Sequence, residues 1–168
     1  MTQATLFNPG IERTATFGGP DDCYRYILTR RWDEGSYVNF LMLNPSTADA
    51  NVDDPTIRRC IGYARAWGYG SLVVTNLFAW RATDPKQLKS IMDPVGPKND
   101  RVILETARAA HMVIAAWGNH GNLHGRDDAV RRLLAEAGIA LHCLTVSPGS
   151  GQPAHPLYLP ACLTPKLL

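Results

Sequence analysis

Apolar runs of strand length alternate with segments of helical periodicity along this 168-residue chain. Two strand-like runs, 24–32 (YRYILTRRW) and 37–43 (YVNFLML), flank the turn composition Asp33-Glu34-Gly35-Ser36, which predicts a β-hairpin. Apolar residues then recur at helical spacing from residue 57 to residue 67, behind Asp54 as a candidate N-cap and Pro55 at the first helical position. This pattern predicts a helix that ends at Gly68.

The rest of the chain continues the alternation of strand and helix. Strand character returns in the runs SLVVTNLFAW (71–80), MVIAAWG (112–118) and IALHCLTV (139–146), and helical character in 100–110 and 126–138. Such alternation predicts parallel β-α-β units with helices on both faces of the sheet. The expected fold is α/β, a three-layer α/β/α arrangement with a central, mostly parallel four-stranded sheet and an N-terminal antiparallel β-hairpin. We expect one domain spanning residues 1–168.

Composition sets few limits on the partners of the protein. Seventeen basic and fifteen acidic residues give a net charge of +2, which neither requires nor excludes an anionic partner. No segment approaches the ~20 apolar residues of a membrane span, and the N-terminal stretch MTQATLFNPG lacks the basic and apolar regions of a leader. We expect a cytoplasmic protein without membrane association, and we favour a monomer.

Metal-binding patterns are weak in this sequence. The pair His120 and His124 has the i, i+4 spacing of some zinc sites, but Gly121 and Gly125 argue against a helix there. The four scattered cysteines include no Cys-x-x-Cys pair, which argues against a zinc ribbon or an iron–sulfur cluster and favours reduced core thiols. We therefore expect neither a metal nor a cofactor.

Amides and imidazoles gather at the predicted carboxyl ends of the strands. In open parallel sheets, ligands bind beyond these ends, near the point where the strand order reverses. An asparagine side chain presents a donor and an acceptor together, as the edge of a nucleobase requires, and a histidine can donate to a carbonyl that becomes anionic. The four ends carry Asn44-Pro45-Ser46, the stretch 76–81, the stretch 117–120 with Asn119, and the loop 147–160 with His155.

Each of these positions also has a structural interpretation. Asn44 could be a turn former before proline, and the serine and threonine that follow could cap a helix. Asn76 interrupts an apolar strand, where a buried amide without partners would cost about 1–3 kcal/mol, so it needs a backbone or ligand partner. Arg81 could pair with Asp84 or meet a phosphate. His155 could be a surface residue in a loop whose prolines limit backbone freedom.

Taken in series, these sites resemble the uracil-DNA glycosylase superfamily, through a bacterial conserved family of unknown function. Asn44-Pro45 looks like the Asn-Pro of the mismatch-specific branch, whose asparagine positions the attacking water. Thr75-Asn76, followed by Arg81, is similar to a Thr-Asn motif whose asparagine contacts the base edge. The run VIAAWG (113–118) resembles the superfamily's third strand, and His155-Pro156 resembles the start of a His-Pro-Ser motif whose histidine stabilises the departing base.

The resemblance implies a DNA glycosylase-like hydrolase that cleaves the N-glycosidic bond of an unusual or modified base, and a nucleic acid or nucleotide as partner. It implies catalytic roles for Asn44 and His155. Two alternatives stay open, namely a nucleobase- or nucleotide-binding module without catalysis and a hydrolase of free modified nucleotides. The substrate contacts implied are Pro45, Ser46, Asn76, Phe78, Arg81 and Asn119.

Three components of such a site have no unique candidate in the sequence. The carboxylate that activates water would be Asp49, Asp53 or Asp54, and Leu157 replaces the motif's serine. The aromatic that stacks on the base would be one of Phe40, Phe78 and Trp80. Binding of duplex DNA would further require a basic face on the pocket side, formed by Arg58, Arg59, Arg65, Arg126, Arg131 and Arg132.

Overall fold

A seven-stranded sheet runs through residues 10–168, the part of the chain that the computed structural model describes. Its strands are β1 (Glu12–Gly18), β2 (Tyr24–Arg31), β3 (Tyr37–Met42), β4 (Ser71–Asn76), β5 (Met112–Ala115), β6 (Leu141–Cys143) and β7 (Lys166–Leu167). The strand order is β1-β2-β4-β3-β5-β6-β7. The helices are α1 (Pro55–Ala66), α2 (Asn99–Ala109) and α3 (Arg126–Glu136).

The centre of the sheet is parallel and its edges are antiparallel. Strands β4, β3, β5 and β6 run parallel in that order, whereas β1, β2 and β7 pair antiparallel with their neighbours. The prediction of an α/β fold with a mostly parallel central sheet is thus confirmed, but the sheet has seven strands instead of four with an added hairpin. The four central strands are the ones with strong apolar runs; the prediction missed β1, which is polar, and β7, which has only two residues.

The predicted hairpin between the first two apolar runs is also wrong. Strand β4 lies between β2 and β3, antiparallel to the first and parallel to the second. The turn at 33–36 passes over the start of β4, where Trp32 and Asp33 donate their N–H groups to the carbonyl of Gly70 at 3.0 Å. A Cβ at Gly70 would lie 2.3 Å from the carbonyl oxygen of Glu34, so only glycine admits this crossing. The antiparallel N-terminal pair is instead β1 with β2.

Alternate residues of the central strands supply two separate apolar cores. Val38, Phe40 and Met42 of β3 belong to the core beneath α1, and Leu41 belongs to the core beneath α2 and α3. Helix α1 therefore covers one face of the sheet and the other two helices cover the opposite face. This alternation follows from the two-residue period of a strand that is buried on both sides.

Local signals in the sequence account for the bounds of α1. The Asp54 side chain accepts the N–H of Ile57 at 2.8 Å, and Pro55 occupies the first helical position, as predicted. Gly68, with φ of 85°, follows the last turn and takes up a conformation that side chains other than glycine's disfavour. Among the described residues, no helix combines the length and the apolar composition that crossing a bilayer requires.

A β-bulge in β2 sets the direction of two arginine side chains. Thr16 pairs with Ile27 and the next residue, Phe17, pairs with Arg25, so that Tyr26 is the extra residue. Strand alternation alone would place Arg25 and Arg30, five residues apart, on opposite faces. The extra residue places both on the face of α1, where Arg25 donates to the carbonyl of Ala48 and Arg30 to that of Asp49, each at 2.6 Å.

Candidate functional site

A cavity of about 380 Å³ opens at the carboxyl ends of β3, β4 and β5, beside the first turn of α1. The chain passes from β3 to β4 on one side and later to β5 on the other, so the strand order reverses at this point. Ligands of open α/β sheets bind in such a crevice. The polar residues that line it are Arg25, Asn44, Ser46, Asp54, Thr56, Asn76, Thr83, Asn119, His120 and His155.

Five of the eight residues predicted from the sequence line this cavity, namely Asn44, Ser46, Asn76, Asn119 and His155. Three do not. Phe78 is fully buried in the core beneath α2 and α3. Pro45 is buried and uses its carbonyl to accept the N–H of Ala82 at 3.0 Å.

Arg81 is the third predicted residue that lies outside the cavity lining. Its guanidinium stacks over Phe17 at 4.9 Å from the ring centroid and donates to the carbonyl of Asp22 at 3.3 Å. The alternative of an ion pair with Asp84 is not formed within residues 10–168, because Asp84 caps the 3-10 turn Pro85–Ser90 through the N–H of Lys86.

Asn44 lies immediately after β3, and the backbone fixes its side-chain amide. Its Nδ2 donates to the carbonyl of Ala82 at 2.8 Å and to that of Pro45 at 3.0 Å. Both amide hydrogens are therefore used, and the side chain presents its oxygen Oδ1 as an acceptor. Such a fixed acceptor on a cavity wall is suited to hold a water molecule or a donor of a ligand.

Asn76 ends β4 and is 2 % exposed, yet its side chain lines the cavity. Its Oδ1 is enclosed and accepts no hydrogen bond from residues 10–168. The backbone around it is held independently, since the Asn99 side chain donates to the carbonyls of Asn76 at 2.9 Å and Leu77 at 3.1 Å. The Asn76 amide is thus a rigidly mounted polar group that its own chain does not satisfy.

His155 stands at the rim of the cavity, in the loop that follows β6. Its Nδ1 accepts the N–H of Leu157 at 3.2 Å, so a neutral ring carries its proton on Nε2. The side chain is open to solvent, but the surrounding protein still lowers its pKa by desolvation, and Asp54 opposes this shift. A neutral imidazole with a directed Nε2–H is suited to donate to a carbonyl oxygen.

Backbone hydrogen bonds tie the His155 loop to the segments that follow β5 and β6. Gly118, three residues after β5, donates to the carbonyl of Pro153 at 2.8 Å, and Ala154 donates to that of Thr145, after β6, at 2.9 Å. Gly118 has a φ of 75°, which few side chains other than glycine's tolerate. The histidine is therefore held against the same strand end that carries Asn119.

Of the three candidate aspartates, Asp54 alone lines the cavity within the described chain. Asp49 accepts the N–H groups of Asn51 and Val52, both at 2.8 Å, which lowers its pKa. Asp53 forms an ion pair with Arg30 at 2.6 Å. Asp54 uses Oδ1 as the cap of α1, and its other carboxylate oxygen accepts no hydrogen bond from residues 10–168. Its charge acts on both Arg25 and His155.

Arg25 is a cavity residue that the sequence analysis did not identify. It is 3 % exposed, donates through Nη1 to the carbonyl of Ala48 at 2.6 Å, and has a buried Nε without an acceptor in the described chain. Burial lowers its pKa to about 10 while Asp54 opposes the shift, so it stays a cation at neutral pH. A charged residue inside the run YRYILTRRW was the available signal.

Within residues 10–168, the aromatic residue that lines the cavity is Trp117, which was not among the predicted candidates. Phe40 is buried beneath α1, where its ring stacks on Trp67 at 5.9 Å between centroids, and Trp80 packs edge-on against Tyr24 at 5.6 Å. Trp117 lines the cavity, and its Nε1 donates to Gln152 at 2.8 Å. It lies near the end of the run VIAAWG (113–118), for which the sequence predicted a strand but no role for the ring.

The arginines proposed for a DNA-binding face make other contacts in the described chain. Of the six arginines proposed for it, none lines the cavity. Arg126 is buried, where it donates to the carbonyl of Leu77 and pairs with Asp100, and Arg131 stacks over Trp117 at 5.2 Å. Arg59 donates to the carbonyl of Leu159, and Arg65 lies over Trp32 at 4.9 Å.

Comparison with known proteins adds a family to this geometry. The chain has no match among curated proteins or solved structures. Residues 25–157 match a family described as a protein of unknown function, DUF1643. This span begins at Arg25, ends two residues after His155, and so includes every polar residue of the described chain that lines the cavity. The chain therefore belongs to the DUF1643 family.

Proposed function

We propose that this protein hydrolyses the N-glycosidic bond of a nucleotide that carries an unusual or modified base. One observation carries the proposal: the only carboxylate that lines the cavity within residues 10–168, Asp54, shares it with Asn44, Asn76 and His155. These four side chains supply a proton acceptor, a fixed oxygen, an amide for a base edge and a directed N–H donor. The resemblance to uracil-DNA glycosylases assigns the same roles to the last three.

The reaction requires stabilisation of two charges that develop together. As the bond between the sugar carbon and the base nitrogen breaks, its electron pair moves to the base and the sugar becomes oxocarbenium-like. In the proposed mechanism His155 donates from Nε2 to the base oxygen as negative charge gathers there. A preorganised donor of this kind contributes about 3–4 kcal/mol.

Water completes the reaction on the opposite face of the sugar. Asn44 Oδ1 and the free oxygen of Asp54 accept the two hydrogens of this water, whose oxygen forms the new bond to the sugar carbon. Asp54 takes the proton that the water loses, and the departing base is protonated from solvent. Asn76 pairs with the amide edge of the base through its donor and acceptor.

A panel assay tests the proposal. The purified chain is incubated with oligonucleotides and free nucleotides that carry uracil, hypoxanthine, xanthine or hypermodified pyrimidines, and released base is quantified by chromatography. We expect one class of base to be released, with activity lost in His155→Ala and Asn44→Ala. If no base is released while bases or nucleotides raise the melting temperature, hydrolysis is refuted and a binding module is the better description.

The resemblance alone would suggest DNA as the substrate, and the assay separates the forms. Base release from duplex oligonucleotides would require the nucleotide to leave its stack, at a cost of a few kcal/mol. Release from free nucleotides would need no such step. Activity that persists at the wild-type rate in both variants would show that the assigned residues are wrong even if the reaction class is right.

A further inference from the structure

Arg25 is a buried cation that the proposed reaction does not use. None of the ion pairs within residues 10–168 includes it, since its guanidinium has no carboxylate within 4.0 Å. Isolated buried charges are costly, and native proteins normally pair them. A buried, charged and only partly bonded guanidinium that lines a cavity is the usual arrangement for holding an anionic ligand.

Other hydrogen-bond donors line the same cavity. Ser46 and Thr56 both line it with hydroxyl groups. At the N-terminus of the twelve-residue helix α1, Pro55 has no N–H and Ile57 donates to Asp54, which leaves the N–H of Thr56 available. A helix N-terminus also favours negative charge by its dipole. Arginine, hydroxyl and backbone N–H donors together are the set that binds phosphate.

We propose that Arg25 binds the terminal phosphate of a free nucleotide, whose base is the one that the proposed hydrolysis would release. The burial of Arg25 favours a terminal phosphate over a phosphodiester. A phosphate inside a polynucleotide continues into neighbouring nucleotides on both sides, so it cannot be enclosed by a pocket, whereas a terminal phosphate presents three free oxygens. A cavity of about 380 Å³ is within the size range of small-ligand sites.

The charge distribution of the cavity lining also favours a free nucleotide over a polynucleotide. Polynucleotides bind through several phosphate contacts along a basic track. Arg25 is the only arginine or lysine that lines the cavity within residues 10–168, and Asp54, whose charge acts on it, lines the same cavity. One buried guanidinium suits one phosphate group.

Asp54 suggests a competing, purely structural role for Arg25. Its carboxylate attracts the guanidinium from beyond ion-pair distance, and Nη1 also holds the loop before α1 through Ala48. A structural arginine would affect stability and leave ligand preference unchanged. The preference for a phosphorylated ligand over its nucleoside therefore separates the two roles.

Isothermal titration calorimetry on the full chain measures that preference. The ligands are deoxyuridine and deoxyinosine, their 5′-monophosphates, inorganic phosphate, and single-stranded oligonucleotides with the same base at an internal position. We expect the wild type to bind the monophosphate about tenfold to hundredfold more tightly than the nucleoside. Arg25→Gln should lose this difference and bind the nucleoside within about twofold of the wild type. The matched control is Arg101→Gln, which removes an equal charge from the exposed face of α2.

Three results would overturn the proposal. In the first, the wild type binds nucleoside and monophosphate equally. In the second, Arg25→Gln keeps the full preference for the monophosphate. In the third, an oligonucleotide with the base at an internal position binds as tightly as the free monophosphate. If Arg25→Gln fails to fold, Arg25→Lys replaces it; it keeps the charge, loses the bidentate fork, and should reduce the preference several-fold. Inorganic phosphate should stabilise the wild type thermally, stabilise Arg25→Lys less, and have no such effect on Arg25→Gln.

The nucleotide part of this inference rests on the proposed function. Different results would refute the phosphate site and the proposed hydrolysis. Arg25-dependent binding of monophosphates without base release would refute hydrolysis and retain the phosphate site. Base release from nucleosides and monophosphates at equal efficiency, unchanged in Arg25→Gln, would retain hydrolysis and refute the phosphate site.

Discussion

Asp54 performs two tasks in one side chain, and substitution can separate them. One carboxylate oxygen caps α1 through the N–H of Ile57 at 2.8 Å, and the other is assigned to the attacking water. Asparagine caps a helix about as well as aspartate but cannot take a proton; alanine does neither. Asp54→Asn and Asp54→Ala remove the same charge, so the cap is the main difference between their effects on stability.

The magnitudes follow from these two tasks. Loss of an N-cap costs about 1 kcal/mol, which lowers the melting temperature of a chain of this size by about 2–4 °C. We therefore expect Asp54→Ala to melt about 2–4 °C below Asp54→Asn. Loss of a general base lowers the rate by ~10²–10⁴-fold, equivalent to about 3–5 kcal/mol of transition-state stabilisation. Both variants should lose this activity equally.

Thermal unfolding and base release, measured on the same preparations, test this separation. The control is Asp84, which caps the 3-10 turn Pro85–Ser90 through Lys86 at 2.9 Å and lies outside the cavity lining; Asp84→Ala should affect stability alone. The Asp54 charge also raises the pKa of His155, so Asp54→Asn should lower the midpoint of its NMR titration further. If Asp54→Asn retains the wild-type rate, the carboxylate is only a cap and the proposed base is wrong.

Three further predictions concern the surroundings of the site. Arg30→Met should lower the free energy of unfolding by about 3 kcal/mol in urea titrations, because Arg30 is fully buried and Asp53 loses the closer of its two arginine partners, at 2.6 Å; a loss below ~1 kcal/mol would refute this role. Gly121→Ala should cost about 1–3 kcal/mol in the same assay, since its Cβ would lie 2.2 Å from Trp117 Cδ1, and an unchanged stability would show that the ring can move. His155 should titrate below 6.5 by NMR. Because its unfolded form binds the proton first, stability should fall as pH decreases from 6.5 through the lowered pKa, and His155→Gln should flatten this slope.

The sequence predicted what depends on local signals. The cap of α1 at Asp54, its end at Gly68 and the gathering of Asn44 and Asn76 at one sheet edge all follow from short patterns and from the general position of strand carboxyl ends. These features need no knowledge of which strand pairs with which. The prediction of the parallel centre succeeded for the same reason.

What the sequence did not predict depends on pairing between distant segments. The insertion of β4 between β2 and β3 brings two backbone segments close together at Gly70, and a single glycine in the sequence does not indicate such an approach. The face on which the Arg25 side chain lies depends on a β-bulge in β2. The bulge lies opposite Thr16 and Phe17 and shifts the alternation of side chains in β2 by one residue. A strict two-residue period places Arg25 and Arg30 on opposite faces, and so conceals that both hold the same loop.

The loop between β3 and α1 is therefore held by arginines of the nearby strand β2 and not only by the strand and helix that it connects. Arg30 reaches it from β2 while also donating to the carbonyl of Thr14 in β1 at 3.4 Å, and Arg13 of β1 lies 3.7 Å from Asp53. Strand β1 precedes the span that matches the family, and none of its residues lines the cavity. It nevertheless braces one wall of the site and covers the edge of β2, which would otherwise expose unpaired backbone groups to other chains. Trimming the chain to its family-matched span would thus weaken the support of the site and expose an edge strand that can pair with other chains, even though every described cavity residue would be retained.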